Sequence, residues 1–209
     1  MEGIIQEQIG EDLPDEVIDI DLDGWKSKSL SVEDKKLLEK YSNLDSLSFS
    51  GCGLETLENF PQLGNLVRLD LSENSLKTGL AHLKHLTDVM QINLENNKID
   101  TIDEFTELAQ LEGLIYLMVE GNPVASTENF REKLFKLIPS LQIIDGLNKD
   151  GEEVDFGDDD DDEVDLDDDQ SFSGEEFDDD DDDEEEDDFS ESEEPLPRKK
   201  QTDQKGKKK

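Results

Sequence analysis

Up to about residue 151, apolar residues recur with a spacing that fits neither a plain amphipathic helix nor an isolated strand. The segments LDSLSFSGCGL (44–54), LVRLDLSENSL (66–76), VMQINLENNKI (89–99) and LIYLMVEGNPV (114–124) align with apolar residues at positions 1, 4, 6 and 11, and with Cys or Asn at position 9. Their starts lie 22, 23 and 25 residues apart. Apolar side chains at 4 and 6, alternating with polar ones at 3, 5 and 7, predict one short strand per unit with a buried and an open face. A strand that short buries too little alone, so recurrence at a fixed period predicts units stacked side by side, each covering the next.

This is the leucine-rich repeat pattern LxxLxLxxN/CxL. It predicts an α/β solenoid of about five repeats, with a parallel sheet on the concave face and a helical cap at each end. Asn74, Asn97 and Asn122 at position 9 are placed to hydrogen-bond buried turn backbone. Cys52 stands in the same slot, so a structural role is expected for it over a reactive thiol. Val17, Ile20 and Leu22 fit positions 1, 4 and 6 of an earlier unit, with Trp25 in its Asn slot. That unit contains DIDLDG (19–24), which also resembles the start of an EF-hand loop. A calcium loop needs Glu at its twelfth position and an apolar residue at its eighth, where Leu30 and Lys26 stand, so the segment is expected to be a strand. Ser31 and Asp34 form a capping-box pattern ahead of Leu37, Leu38 and Tyr41, predicting a helix. Ile5, Ile9 and Leu13 predict a capping helix ending before Pro14, and Phe130, Leu134, Leu137 and Leu141 predict a cover for the last strand.

Positions 3, 5 and 7 face the concave side: Asp19, Asp21, Asp23; Ser46, Ser48, Ser50; Arg68, Asp70, Ser72; Gln91, Asn93, Glu95; Tyr116, Met118, Glu120. Six acids against one base, with Tyr116 and Met118 as bulky anchors, suggest a surface for a basic protein. A solvated face that keeps the domain soluble is the plainer alternative.

Charge then divides the chain. Residues 1–151 hold 29 acids and 13 bases, residues 152–194 hold 29 acids and no base, and residues 195–209 hold 7 bases and 1 acid. This predicts a folded domain over 1–151, a disordered acidic tail over 152–194 and a basic segment over 195–209. A net charge of -39 opposes direct binding to nucleic acid or anionic lipid and favours cationic partners. No apolar run of 18 residues or secretory leader is present, so a soluble, unsecreted monomer is expected, and one cysteine allows no internal disulfide.

No phosphate-cradling loop, dinucleotide fingerprint, zinc-protease motif or nucleophile elbow occurs. His82 and His85, with Asp88, have helical spacing, which suits a metal site or, more commonly, surface histidines. A non-enzyme without cofactor or metal ligand is expected.

The repeats, the cap FREKLFKLIPSLQIIDG, the segment GLETLENFPQLGNLVRLDLSENSL and the Asp/Glu tail together resemble the acidic leucine-rich nuclear phosphoproteins, over residues 1 to about 194. The resemblance implies binding and chaperoning of histones through the tail, masking of histone tails from acetylation, inhibition of protein phosphatase 2A, and a nuclear location with shuttling to the cytoplasm. An RNA-processing adaptor role is a further alternative with the same fold. Trp25 in the first Asn slot and a short tail depart from the family pattern. Independently, a polyanion without fixed geometry can follow any Lys/Arg-rich chain through attraction that salt screens over about 10 Å at 0.1 M. Phe156, Phe172, Phe177 and Phe189 punctuate that tail as anchors or spacers. Ser173 and Ser190, each with Glu three residues on, are candidate phosphorylation sites. Arg198, Lys199, Lys200, Lys205, Lys207, Lys208 and Lys209 read as a nuclear-import signal or as a solubilising basic end.

Overall fold

The computed structural model describes residues 1–154. Helix α1 (Glu2–Ile9) is followed by strand β1 (Asp19–Asp21), helix α2 (Val32–Leu38), strands β2 (Ser46–Ser48), β3 (Arg68–Asp70), β4 (Gln91–Asn93) and β5 (Tyr116–Met118), helix α3 (Phe130–Leu137) and strand β6 (Ile143–Ile144). The strands form one parallel sheet in chain order, each three-residue strand pairing the next in the same register, as in Leu47 opposite Leu69 opposite Ile92. Short 3₁₀ segments at Leu80–Leu83, Ile102–Gln110 and Pro123–Ser126 return the chain behind the sheet. Positions 1, 4, 6 and 11 of the four units starting at residues 44, 66, 89 and 114, with Val17, Ile20 and Leu22 of the first unit, are buried in a single core running the length of the stack. The leucine-rich solenoid expected from the spacing is what forms.

The sheet has six strands where five repeats are legible in the spacing. Strand β6 lies immediately after the cap and is only two residues long, so no full repeat pattern surrounds it. Aligning Leu141 with position 1 places Ile144 at position 4, and Gln142 and Ile143 donate their N–H groups to Ile115 C=O as their counterparts do in earlier units.

The position-9 side chains act one unit backwards. Asn74 Nδ2 donates to Phe49 C=O (2.8 Å) in the unit before and to its own Leu71 C=O (3.0 Å), while Oδ1 accepts from Gly53 and Leu54 N–H. Asn97 and Asn122 repeat this, reaching back to Leu71 and Leu94 C=O and accepting from Leu76 and Ile99 N–H. Cys52 Sγ only donates, to Leu22 C=O at 3.1 Å and more weakly to Ser50 C=O at 3.8 Å. Trp25 is therefore tolerated in the first slot because no unit precedes it. Leu22 C=O is satisfied by Trp25 N–H and Cys52, and the indole packs beside Phe49 at 6.3 Å between ring centroids.

Position 8 sits in the left-handed region in every unit: Gly24, Gly51, Glu73 (φ 55°), Asn96 (φ 54°) and Gly121. The N–H at this position donates to the position-7 C=O of the next unit, as Gly51 does to Ser72 and Glu73 to Glu95. Gly121 has a second constraint, since a Cβ there would lie 2.3 Å from Asn96 Oδ1.

Both ends are closed. Helix α1 ends at Ile9 with Gly10 at φ 60°, four residues earlier than the Ile5, Ile9, Leu13 spacing suggests. Ile5 is buried, but Leu13 is 58% exposed and lies outside the helix. The closing contact is instead polar: Gln8 Oε1 accepts from Asp21 N–H at 3.0 Å and its amide nitrogen donates to Asp21 C=O, mimicking one more strand on the free edge. The Ser31–Asp34 capping box forms as expected, and Tyr41 is buried just beyond the helix it was grouped with. At the other end Phe130, Leu134 and Leu141 are buried with Leu137 partly so, and the Arg131 guanidinium donates to Ile144, Leu147 and Asn148 C=O.

Two stability measurements check this reading. Replacing Asn97 by Ala strips partners from at least two buried backbone groups and is expected to cost about 2–3 kcal/mol in urea unfolding, whereas Cys52→Ala, which removes only weak thiol donations, costs clearly less. Glu73→Gly removes left-handed strain and is expected to stabilise by about 1 kcal/mol; an unchanged or lower midpoint contradicts it.

Candidate functional site: the concave face

Strand period places positions 3, 5 and 7 on the open face, and the parallel register stacks them into three rows across the sheet. Row 3 runs Asp19, Ser46, Arg68, Gln91, Tyr116, Ile143. Row 5 runs Asp21, Ser48, Asp70, Asn93, Met118, then Asp145 just past β6. Row 7 runs Asp23, Ser50, Ser72, Glu95, Glu120. The fifteen residues expected on this face are all there, and Asp145 joins them. Its signal was the Ile-Ile-Asp string, which repeats the Leu-Asp arrangement of Leu69 and Asp70.

The acids are not equivalent. At position 5 the side-chain oxygen accepts from the N–H two residues on: Asp21 from Asp23 (2.7 Å), Asp70 from Ser72 (2.7 Å) and Asn93 from Glu95 (2.9 Å). Met118 has no oxygen for this. Asp145 supplies it from the next strand, accepting from Val119 (2.6 Å) and Glu120 (3.1 Å) N–H. Asp23 accepts from Ser48 Oγ and from Ser50 N–H at 2.8 Å. Asp21, Asp23, Asp70 and Asp145 thus hold the turn as well as charging the face. Asp19 and Glu120 are exposed and their carboxylates accept no hydrogen bond within the described fold.

Arg68, the one base, is paired with Asp45 at 3.3 Å, so it does little to offset the acids. Towards the C-terminal end the acids crowd one another. Burial, then the neighbouring Asp145, Glu120 and Asp70 charges, hold the Glu95 carboxyl above its ordinary range. Asp145 is also raised, mainly by burial, against the opposing pull of its two N–H donors and Arg131. Tyr116 and Met118 are half-buried beside these acids. The face therefore has three aspartates at its N-terminal end, of which Asp19 is free of internal hydrogen bonds, a hydrogen-bonded serine centre (Ser50 Oγ to Ser72 Oγ, 2.8 Å), and an apolar and acidic C-terminal end.

Other candidates fall elsewhere. Cys52 is buried, and loss of solvation pushes its thiol up to about 11, which suits a packing residue. His82 and His85 are exposed behind the sheet, and no group of three or more His, Cys, Asp or Glu among the described residues is arranged to hold a metal. No helix among the described residues is long and apolar enough to cross a membrane. Phe156, Phe172, Phe177, Phe189, Ser173, Ser190, the acidic stretch and the basic residues from Arg198 onward lie outside the described residues.

A stack of parallel strands with a ladder of position-9 amides is a leucine-rich repeat solenoid, and residues 17–153 match that family: the chain belongs to the leucine-rich repeat family. Within it, the resemblance to the acidic leucine-rich nuclear phosphoproteins is borne out. The Drosophila melanogaster acidic leucine-rich nuclear phosphoprotein 32 family member A is 36% identical over 145 residues, which is 69% of this chain and 54% of that protein. A Plasmodium falciparum protein named as related to that family is 36% identical over 137 residues, 64% of this chain and 48% of that one. A Tetrahymena thermophila protein that carries the name of a histone is 35% identical over 149 residues, 70% of this chain and 38% of that protein. The match spans about half or less of these relatives' length. A chain in the crystal structure of the Drosophila melanogaster SNF/U2A' complex shares the fold, with a TM-score of 0.53 and 23% identity over 65% of this chain and 74% of that one.

Glu95 gives a pH test. Its folded pKa is raised, so folding favours the protonated form and loses that stability as pH rises from the usual glutamate range through the raised value. Glu95→Gln is expected to stabilise the protein at pH 7, with the gain shrinking as pH falls towards 4.5, in thermal unfolding across that window. A pH-independent effect contradicts the assignment.

Proposed function

We infer that this protein binds histones and other strongly basic proteins in the nucleus and acts by holding them, without transforming a substrate. The observation that carries this reading is the acidic concave face, where Asp19, Asp21, Asp23, Asp70, Glu95, Glu120 and Asp145 stand against an Arg68 already paired with Asp45. Burial first, and the neighbouring carboxylates after it, raise Glu95 and Asp145, and a bound Lys or Arg offsets the like-charge part of that cost. Tyr116 and Met118 add an apolar contact beside the charges. The division of the chain belongs to the same proposal: a solenoid over residues 1–151, an acidic stretch over 152–194 that supplies most of the attraction, and a basic end, 195–209, that serves nuclear import. Solenoid and acidic stretch in one chain reinforce each other because the second contact is made at high effective concentration. The nuclear names of the phosphoprotein relatives support the location, with shuttling to the cytoplasm a further part of the proposal, and phosphorylation at Ser173 and Ser190 would strengthen the polyanion. A relative named as a histone supports an association with chromatin.

The hydrogen bonds of Asp21 and Asp23 dictate the test. Lysine there would break the turn, whereas asparagine keeps the acceptor oxygen and removes the charge. The triple variant Asp19→Asn/Asp21→Asn/Asp23→Asn is expected to fold normally and to bind core histones several-fold more weakly at 0.1 M salt, with a shallower salt dependence in fluorescence titration. Unchanged affinity would remove this end of the face from the interface.

A further inference from the structure

The geometry points to a second binding site of opposite charge: a cavity of about 450 Å³ lined by Glu55, Ser75, Lys77, Thr78 and Lys98 that takes a phosphate group. It lies past the turns, off the concave sheet, at positions 10 to 13 of successive units. Backbone bonds lock these turns in register: Glu55 N–H to Lys28 C=O, Ser75 N–H to Leu54 C=O, and Lys98 N–H to Leu76 C=O, each 2.8 Å.

The charge balance of the cavity runs against the rest of the molecule. Residues 1–151 carry 29 acids against 13 bases, yet this lining holds two ammonium groups and one carboxylate. That carboxylate is engaged: Glu55 pairs with Lys28 at 2.8 Å. Lys28 first and Lys98 after it hold Glu55 below its ordinary range, so it stays an ion and a neutralised pair. The nearby Glu104 carboxylate accepts from Gly79 N–H at 2.9 Å. Lys77 and Lys98 both line this cavity, and the carboxylate beside them is shared with Lys28.

The donors identify the ligand class. Lys98 Nζ donates to Ser75 Oγ at 2.9 Å, which fixes the ammonium at the cavity wall and leaves the Ser75 hydroxyl hydrogen free to donate. Thr78 adds a second hydroxyl. Two lysines and two hydroxyl residues lining one cavity match a tetrahedral oxyanion, whose several acceptor oxygens can meet them together. A single carboxylate would leave donors unmet. The same chemistry is presented by free phosphate and by a phosphorylated side chain on a partner.

The test is a titration of the ¹⁵N-labelled full chain with sodium phosphate, with sodium chloride at matched ionic strength, with a phosphoserine peptide, and with the same peptide bearing Glu in place of phosphoserine. Saturable amide shifts at Ser75, Lys77, Thr78 and Lys98 with phosphate, absent with chloride, are expected. Lys77→Gln and Lys98→Gln, both surface positions, should fold and raise the dissociation constant about tenfold each. A phosphopeptide that binds tighter than inorganic phosphate identifies a peptide-borne group, and equal affinity identifies free phosphate. The Glu peptide should bind more weakly than the phosphopeptide. Shifts that do not saturate, that spread equally over Lys133 and Lys136, or that persist in both variants overturn the site.

Discussion

The backward reach of the position-9 side chain is the constraint on which the solenoid depends. Each unit ends its strand in a turn whose carbonyl and amide groups are buried between neighbours, and one amide side chain from the following unit satisfies them. Burying those groups unpaired would cost about 1–3 kcal/mol apiece. Stacking order, register and strand length follow from this contact. So does the asymmetry of the ends: the first unit needs no such residue, which is why a tryptophan stands there, and the last needs a different device, which Asp145 and Arg131 provide.

Binding face and scaffold are therefore partly the same atoms. Row 5 of the concave side uses its carboxylates to hold the N–H two residues on, and where Met118 interrupts the row Asp145 reaches across. Part of the negative charge on this face is a consequence of choosing Asp as the turn-holding acceptor, and that charge is then available to a cationic partner. The two readings of the acidic face, solvated surface and docking surface, need not compete, because Asp19 and Glu120 carry charge that serves no internal bond.

Period and spacing made most of the fold legible. Apolar positions 1, 4, 6 and 11 located the core, and alternation assigned Asp19 through Glu120 to the open side. Four things lay beyond that reach. Strand β6 has two residues and no complete repeat around it, so it merged into the cap. Leu13 continues an apolar spacing of four, but Gly10 ends the helix first, because spacing reports which residues could share a face and not where the backbone turns. The hydrogen bonds of Asp21, Asp70 and Asp145 depend on which rotamer meets which amide, information that period two does not carry. The cavity at Lys77 and Lys98 was equally hidden, since its lining comes from turns 20 or more residues apart that only the stacked register brings together.

The central claim is that an acidic stretch carried on a leucine-rich solenoid captures basic chromatin proteins. The most direct measurement is core-histone binding at physiological ionic strength by the full chain and by a variant lacking residues 152–194. Capture by the full chain that is lost or weakened by orders of magnitude in the deletion variant, and that falls steeply with added salt, is the expected result. Equal histone capture by both would contradict it.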